Sequence, residues 1–357
     1  MLPIRVLVVD DSAVMRGLLR MTLATCPEVE IAGVAVDGLA GLEAIERLKP
    51  NLVLLDIEMP GMNGLEVLAE IRARNLPVKV IMCSTLTRRG AAITLEALAR
   101  GATDYVAKPT AQHGVREGME TLSRELLPKV RALFPSREHG GQPEVARFPL
   151  PVPPQFLSPA SAGVLVVGVS TGGPAALEKF LPALPADFPL PVLIVQHMPP
   201  LFIALLAERL NRLCKIAVRE ASACDGLRAG VVYLARGDWH MQIVGPSAHG
   251  SLRLTQASSE QHCRPSVDVL FRSAAAVYGA GVLAVVLTGM GSDGLDGCRA
   301  IHAAGGKILV QDRATSAVWG MPRVVAEAGL ADQVLPLEAL AAEVVRSTTG
   351  HARSNRA

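Results

Sequence analysis

The stretch VLVVGVSTGGP, residues 164–174, runs from an apolar, β-branched segment straight into a turn of small residues and then a proline. That pattern reads as a buried strand, a tight turn, and a helix whose first turn carries Pro174. Glycines at 168, 172 and 173 suit a phosphate cradle, but the Lys of GxxxxGK[ST] is absent and GxGxxG is not matched. The same residues spell G-x-S-x-G from Gly168 to Gly172, which lifts Ser170 to the top of a sheet as a nucleophile. A third role, Ser170 as a cap for the following helix, needs no catalysis at all.

A nucleophile needs a base and a group to orient it. The apolar run VLIVQH (192–197) ends at His197, and VLAVVLTG (282–289) leads into MGSDG, which puts Asp293 just past its end. Three parallel strands therefore deliver Ser, His and Asp to one edge of a sheet, where Asp orients the imidazole and the imidazole takes the Ser proton. The chain order Ser, His, Asp departs from the Ser, Asp, His order of ordinary α/β-hydrolases. His240 and Asp296 compete for the same roles, although neither closes a long hydrophobic strand. In TGMGSDG, Gly289 and Gly291 let backbone N–H groups approach a developing oxyanion.

The chain has 357 residues, which favours two domains. Residues 1–125 alternate strand-like and helical segments five times: IRVLVVD, VEIAGVAV, LVLLD, KVIMCS and DYVAK each precede a helical pattern. This predicts a parallel sheet with helices on both faces. Eight prolines between Pro128 and Pro159 mark a linker over 126–160. The alternation resumes over 161–350, so the second domain is also α/β, a doubly wound parallel sheet. Three short segments there, GVVYLAR, HMQIVG and SLRLTQ, read as antiparallel strands and predict a β-hairpin insertion. The polar end, 351–357, reads as a disordered tail.

In the first domain the predicted strand ends carry Asp10, Asp11, Asp56, Ser84 and Lys108. Such ends surround the crevice of an open parallel sheet. Three converging carboxylates call for a hard divalent cation such as Mg²⁺, and Lys108 supplies positive charge for a phosphoryl group.

The formal charge is +2, with 35 basic and 33 acidic residues, so no global field favours nucleic acid or membrane. Six scattered cysteines form no CxxC, and the N-terminus shows no signal peptide, which predicts a cytoplasmic protein with reduced thiols. His262 beside Cys263 has no second Cys/His pair at ligand spacing, so a structural role is expected for it. No apolar run reaches the ~20 residues of a membrane span.

VLVVDDS (6–12), LLDIEMPGMNG (54–64) and AKP (107–109) resemble the receiver domain of two-component response regulators. The resemblance implies a flavodoxin-like (βα)5 fold, with Asp56 as phospho-acceptor. Asp10, Asp11 and Asp56, together with the Glu58 carbonyl, are implied as the Mg²⁺ site. Ser84 is implied as the switch hydroxyl where many receivers carry Thr, Tyr105 as the switch aromatic, and Lys108 as the phosphoryl contact.

GVSTGGP (168–174), QHMPP (196–200), RPSVDVLF (264–271), LTGMGSDG (287–294) and WGMPR (319–323) resemble the chemotaxis protein-glutamate methylesterases of the CheB family. By that resemblance Ser170 is the nucleophile, His197 the base, Asp293 its orienting partner and the Met290 N–H an oxyanion donor, with Thr171 and Arg264 lining the site. Val169 and Ser292 stand where relatives often carry other residues. The implied reaction hydrolyses glutamate γ-methyl esters on methyl-accepting chemotaxis receptors and deamidates receptor glutamines, without a cofactor. The implied phosphodonor is the chemotaxis histidine kinase, and the implied receiver packs over the active site until it is phosphorylated. A DNA-binding output is excluded by the α/β second half. The competing reading is an enzymatically silent signalling or scaffold protein.

Overall fold

The computed structural model describes residues 3–109, 114–135 and 163–349. The first domain builds a five-stranded parallel sheet from β1 (Ile4–Val9), β2 (Val29–Ala35), β3 (Leu52–Asp56), β4 (Lys79–Ser84) and β5 (Asp104–Ala107), in the order β2-β1-β3-β4-β5. Helices α1 (Ala13–Ala24), α2 (Gly38–Leu48), α3 (Gly64–Ala73), α4 (Arg88–Ala99) and α5 (Val115–Leu133) complete the alternation. The central strands are unbroken apolar runs because helices cover both faces, and every residue of β3 is buried. Caps fix the helix starts: Ser12 accepts from the Met15 N–H, and Asn63 forms a capping box with Glu66.

Helix α5 runs on to Leu133 with Pro128 inside it, so the linker expected from residue 126 begins within a helix. The apolar spacing of Leu126, Leu127, Val130 and Leu133, all buried, overrides the proline. The rest of the expected linker, from 136 to 160, and the tail at 351–357 lie outside the described residues.

In the second domain a seven-stranded, wholly parallel sheet comprises β6 (Val164–Val169), β7 (Val192–Gln196), β8 (Ala217–Glu220), β9 (Val231–Leu234), β12 (Val282–Val286), β13 (Lys307–Gln311) and β14 (Gln333–Leu335). Their order is β14-β13-β12-β6-β7-β9-β8, and β10 (His240–Val244) pairs with β11 (Ser251–Thr255) as an antiparallel hairpin. GVVYLAR therefore departs from expectation. It forms β9, which lies parallel to both β7 and β8, because Tyr233 and Leu234 are buried in the main sheet. The covering helices are α6 (Gly173–Phe180), α7 (Pro200–Leu213), α8 (Val267–Tyr278), α9 (Leu295–Ala303), α10 (Met321–Glu327) and α11 (Leu337–Thr349). The chain leaves β6 toward β7 and later returns on its other side as β12. That reversal makes a topological switch point, and in open sheets ligands bind in the crevice beyond it.

The two domains share buried surface. Tyr105 of β5 stacks on Phe202 of α7 with ring centroids 4.5 Å apart and planes 14° from parallel. Arg88 of α4 reaches Glu208 of α7 at 3.3 Å. On the other side of the receiver sheet, Val318 of the second domain is buried in the cluster that holds Met15, Leu18 and Leu122, and Met290 packs against it.

Candidate active site

Ser170 leaves β6 at the switch point, with its N–H donating to the Thr288 carbonyl at 3.0 Å. Gly172 adopts φ +77°, and a side chain there would meet Ala317. At Gly173 an added Cβ would fall 1.9 Å from the Gln196 Oε1. The turn can therefore be this tight only with glycine at both positions. Gln196 Nε2 in turn donates to the Ser170 carbonyl at 3.0 Å, pinning the turn from β7. Helix α6 has Gly172 as its N-cap and no side-chain cap, so the Ser170 hydroxyl is not spent on the helix.

His197 follows β7, and its Nε2 lies 2.8 Å from Asp293 Oδ2. This leaves Nδ1 as the ring nitrogen free for chemistry. No hydrogen bond joins Ser170 to His197 among the described residues; Nδ1 faces Cys263 Sγ at 3.9 Å. Burial works against a charged imidazolium here, but hydrogen bonds to Asp293 and Cys263 outweigh it and hold the His197 pKa at about 9. Asp293 is held below the usual carboxylate range: burial opposes its charge, and the hydrogen bond and charge of His197 prevail.

Asp293 is seated by the start of α8. Its Oδ1 accepts from Ser266 Oγ at 2.8 Å and the Asp268 N–H at 2.9 Å, and its Oδ2 from the Val267 N–H at 2.7 Å. Asp268 returns the arrangement: its Oδ1 accepts from the N–H groups of Gly294 at 3.0 Å and Gly297 at 2.7 Å, at the start of α9. Its Oδ2 accepts from Gln261 Nε2 at 2.8 Å, and Gln261 Oε1 accepts from Ser292 Oγ at 2.7 Å. Burial pushes the Asp268 pKa up to about 6. Gln261, Ser266 and Asp268 are not singled out by the sequence as site residues, since each meets the site only through the fold, and Cys263, weighed there only beside His262 as a metal pair, faces His197 instead. The rivals fall away: His240 is buried between the Ser266 N–H and the Ser258 carbonyl, and exposed Asp296 pairs with Arg299.

Among the described residues, the backbone N–H groups of Thr171 and Met290 donate to no protein acceptor, whereas the Gly289 N–H is taken by the Val318 carbonyl. Thr171 is buried beside Ser170. The Arg264 guanidinium reaches Asp238 at 2.7 Å and the carbonyls of Gln256 and Ala257, and among the described residues it makes no hydrogen bond to Ser170, His197 or Asp293. These bonds tie Arg264 to the loops around the hairpin.

In the receiver, Asp10, Asp11 and Asp56 bring one carboxylate oxygen each to within 4.8 Å of one another. Lys108 Nζ sits 2.9 Å from Asp10 and 2.7 Å from Asp56. Burial pushes the Asp56 pKa up to about 6 against the pull of Lys108. The donors are all hard oxygens, two of the three residues are buried, and Glu58, Ser84 and Lys108 line the same cavity. This set fits a hard divalent cation. Ser84 Oγ is buried and accepts from Thr94 Oγ1 at 2.6 Å. Tyr105 is covered by Phe202, and Lys129 donates to its carbonyl at 2.6 Å.

Fold and site together define a class: a receiver domain joined to an α/β effector domain whose sheet edge carries hydrolase-type groups. Residues 6–119 match the response regulator receiver domain, and residues 165–344 match the CheB methylesterase family. The chain belongs to the CheB methylesterase family. It is 48% identical over 348 residues to a protein-glutamate methylesterase/protein-glutamine glutaminase of Nocardioides sp., spanning 96% of this chain and 95% of that one. A protein of the same description from Trichodesmium erythraeum is 43% identical over 346 residues, spanning 96% and 98%. The crystal structure of the Thermotoga maritima CheB methylesterase catalytic domain superposes with a TM-score of 0.51 at 37% identity, covering 52% of this chain and 99% of that one. No helix among the described residues is long and apolar enough to cross a membrane.

Proposed function

We propose that this chain is a phosphorylation-activated protein-glutamate methylesterase and protein-glutamine deamidase acting on chemoreceptors in the cytoplasm, with Ser170, His197 and Asp293 as its catalytic groups. The observation that carries the catalytic reading is the His197–Asp293 pair at 2.8 Å, set one strand away on either side of a Ser170 whose hydroxyl does not cap its helix.

Ser170 Oγ attacks the γ-ester carbonyl carbon while its proton passes to His197 Nδ1, the nitrogen Asp293 leaves free. The tetrahedral oxyanion is received by the N–H groups of Thr171 and Met290, which have no acceptor among the described residues. The C–O bond to the methyl oxygen breaks, and methanol departs with the proton from His197. Water then attacks the acyl-enzyme, giving its proton to His197, and the proton returns to Ser170 as glutamate is released. A glutamine substrate follows the same course with ammonia leaving.

Asp56 is the phospho-acceptor, and a chemotaxis histidine kinase is its donor. Asp10, Asp11 and Asp56 would hold Mg²⁺ with the Glu58 carbonyl. The ion supplies charge neutralisation for phosphoryl transfer when bound. Lys108 and the Ser84 hydroxyl contact the phosphoryl oxygens, and drawing Ser84 toward them disturbs its bond with Thr94 on α4. Helix α4 and Tyr105 both touch α7 of the esterase domain, so rearranging them weakens the docked interface. Methanol release from methylated receptor membranes, with and without a small phosphodonor, tests the whole reading.

A further inference from the structure

Cys263 lies beside His197 and takes no part in the esterase chemistry. Its place is fixed by a two-residue turn: Glu260 and Cys263 exchange backbone hydrogen bonds at 3.2 and 2.7 Å, while Gln261 and His262 adopt φ +48° and +64°. That is the primed turn of a tight hairpin. Gln261 is tied to Asp268 and Ser292, so the turn is anchored to the same loops that seat Asp293.

The arrangement around the imidazole is that of a zinc ligand. Asp293 holds Nε2 at 2.8 Å, and Cys263 Sγ lies 3.9 Å from Nδ1, close enough for a rotation of the cysteine side chain to bring both donors onto one ion. A zinc-bound histidine ordinarily gives its other ring N–H to a carboxylate, which sets its tautomer and raises its basicity. With Zn–N of about 2.0–2.1 Å and Zn–S of about 2.3 Å, one ion bridges donors separated by roughly 3.5–4 Å. Donor atoms of His197, Cys263 and Asp293 all lie within 4.8 Å of one another. A nitrogen and a sulfur donor select a borderline metal such as Zn²⁺ and reject Mg²⁺, which belongs with the all-oxygen set at Asp10, Asp11 and Asp56.

We propose that Cys263 Sγ and His197 Nδ1, backed by Asp293, form an inhibitory zinc site in the esterase domain. The ion displaces the thiol proton and takes the lone pair that must accept the Ser170 proton, so bound zinc and active base exclude each other. Water fills the remaining positions, and removal of zinc restores activity. The inhibitory role rests on His197 being the esterase base; the binding site does not.

The test uses the reduced, chelator-treated full chain. Co²⁺ is titrated as a spectroscopic stand-in, and Zn²⁺ is titrated against methanol release. A thiolate-to-cobalt charge-transfer band saturating at one ion per chain is expected. That band should be lost in both Cys263→Ser and His197→Gln and kept in Asp56→Asn. Measured against its own metal-free rate, Cys263→Ser should need at least tenfold more Zn²⁺ for half-inhibition. A band unchanged in Cys263→Ser, no band at all, or equal Zn²⁺ sensitivity of Cys263→Ser and the parent overturns the proposal. If the parent releases no methanol, the esterase reading fails, while the cobalt band still decides the site.

Discussion

Asp268 and Asp293 sit at each other's helix: the carboxylate of Asp293 is held by the first residues of α8, and that of Asp268, on α8, is held by N–H groups at the start of α9, which follows Asp293. Each anion thereby meets a positive helix end as well as hydrogen-bond donors. The exchange fixes the carboxylate that orients His197. Asp268→Ala leaves two buried N–H groups unsatisfied, at a cost of about 1–3 kcal/mol in stability. It also lets Asp293 drift, which lowers kcat by about 10–100-fold with little change in KM. Asp268→Asn keeps an acceptor for Gly294 and Gly297 and should restore most of the rate. Steady-state kinetics beside thermal melts separate the two effects; equal kcat for the parent and a folded Asp268→Ala would refute the role.

The second prediction concerns pH. The base form of His197 is required, and its proton is held to about 9, so kcat/KM should rise across neutral pH and level off in the alkaline range. Because the folded pKa lies above the ~6.5 of an unfolded histidine, this pair stabilises the fold fully below that value and loses the contribution as pH rises through about 9. Asp293→Asn should lower the imidazole pKa, read by histidine NMR titration, and reduce kcat by about 10⁴-fold. An imidazole titration unmoved by Asp293→Asn would show that the pair does not govern the base.

Much of this site was legible before any coordinates. Ser170, His197 and Asp293 each close or follow an apolar strand, and parallel strands with short exits bring such residues to one edge. The receiver set was legible for the same reason. What escaped were residues placed by tertiary contact alone: Asp268 lies inside the apolar run of α8, and Cys263 reaches His197 across 66 positions of sequence. Arg264 shows what the sequence does not give, since its pairing with Asp238 joins positions 26 residues apart. The β9 segment was misread because a four-residue strand carries too little periodicity to distinguish a parallel partner from an antiparallel one.

A third prediction follows from Asp56. Burial pushes its pKa to about 6, above its unfolded value, so the folded state binds more protons between about 4 and 6 and stability falls as pH rises through that window. In metal-free buffer, Asp56→Asn should therefore stabilise the receiver at pH 7 by on the order of 1–3 kcal/mol. The gain should fade below about pH 4, where the aspartate is neutral in both states. Urea titrations at the two pH values check it; a destabilised Asp56→Asn at pH 7 would contradict the burial argument.

The docked interface makes a fourth. Phe202→Ala removes the stack on Tyr105, loosening the receiver from the esterase domain. Methanol release without a phosphodonor should rise several-fold, and stimulation by the phosphodonor should shrink in proportion. Unchanged basal activity would mean that this contact does not restrain the enzyme.

The most direct measurement compares the parent with Ser170→Ala for methanol release from methylated receptor membranes, with phosphorylation of Asp56 followed in the same samples. Loss of methanol release by about 10⁴-fold or more, with Asp56 phosphorylation intact, is the result this account predicts. Methanol release that survives in Ser170→Ala would contradict it.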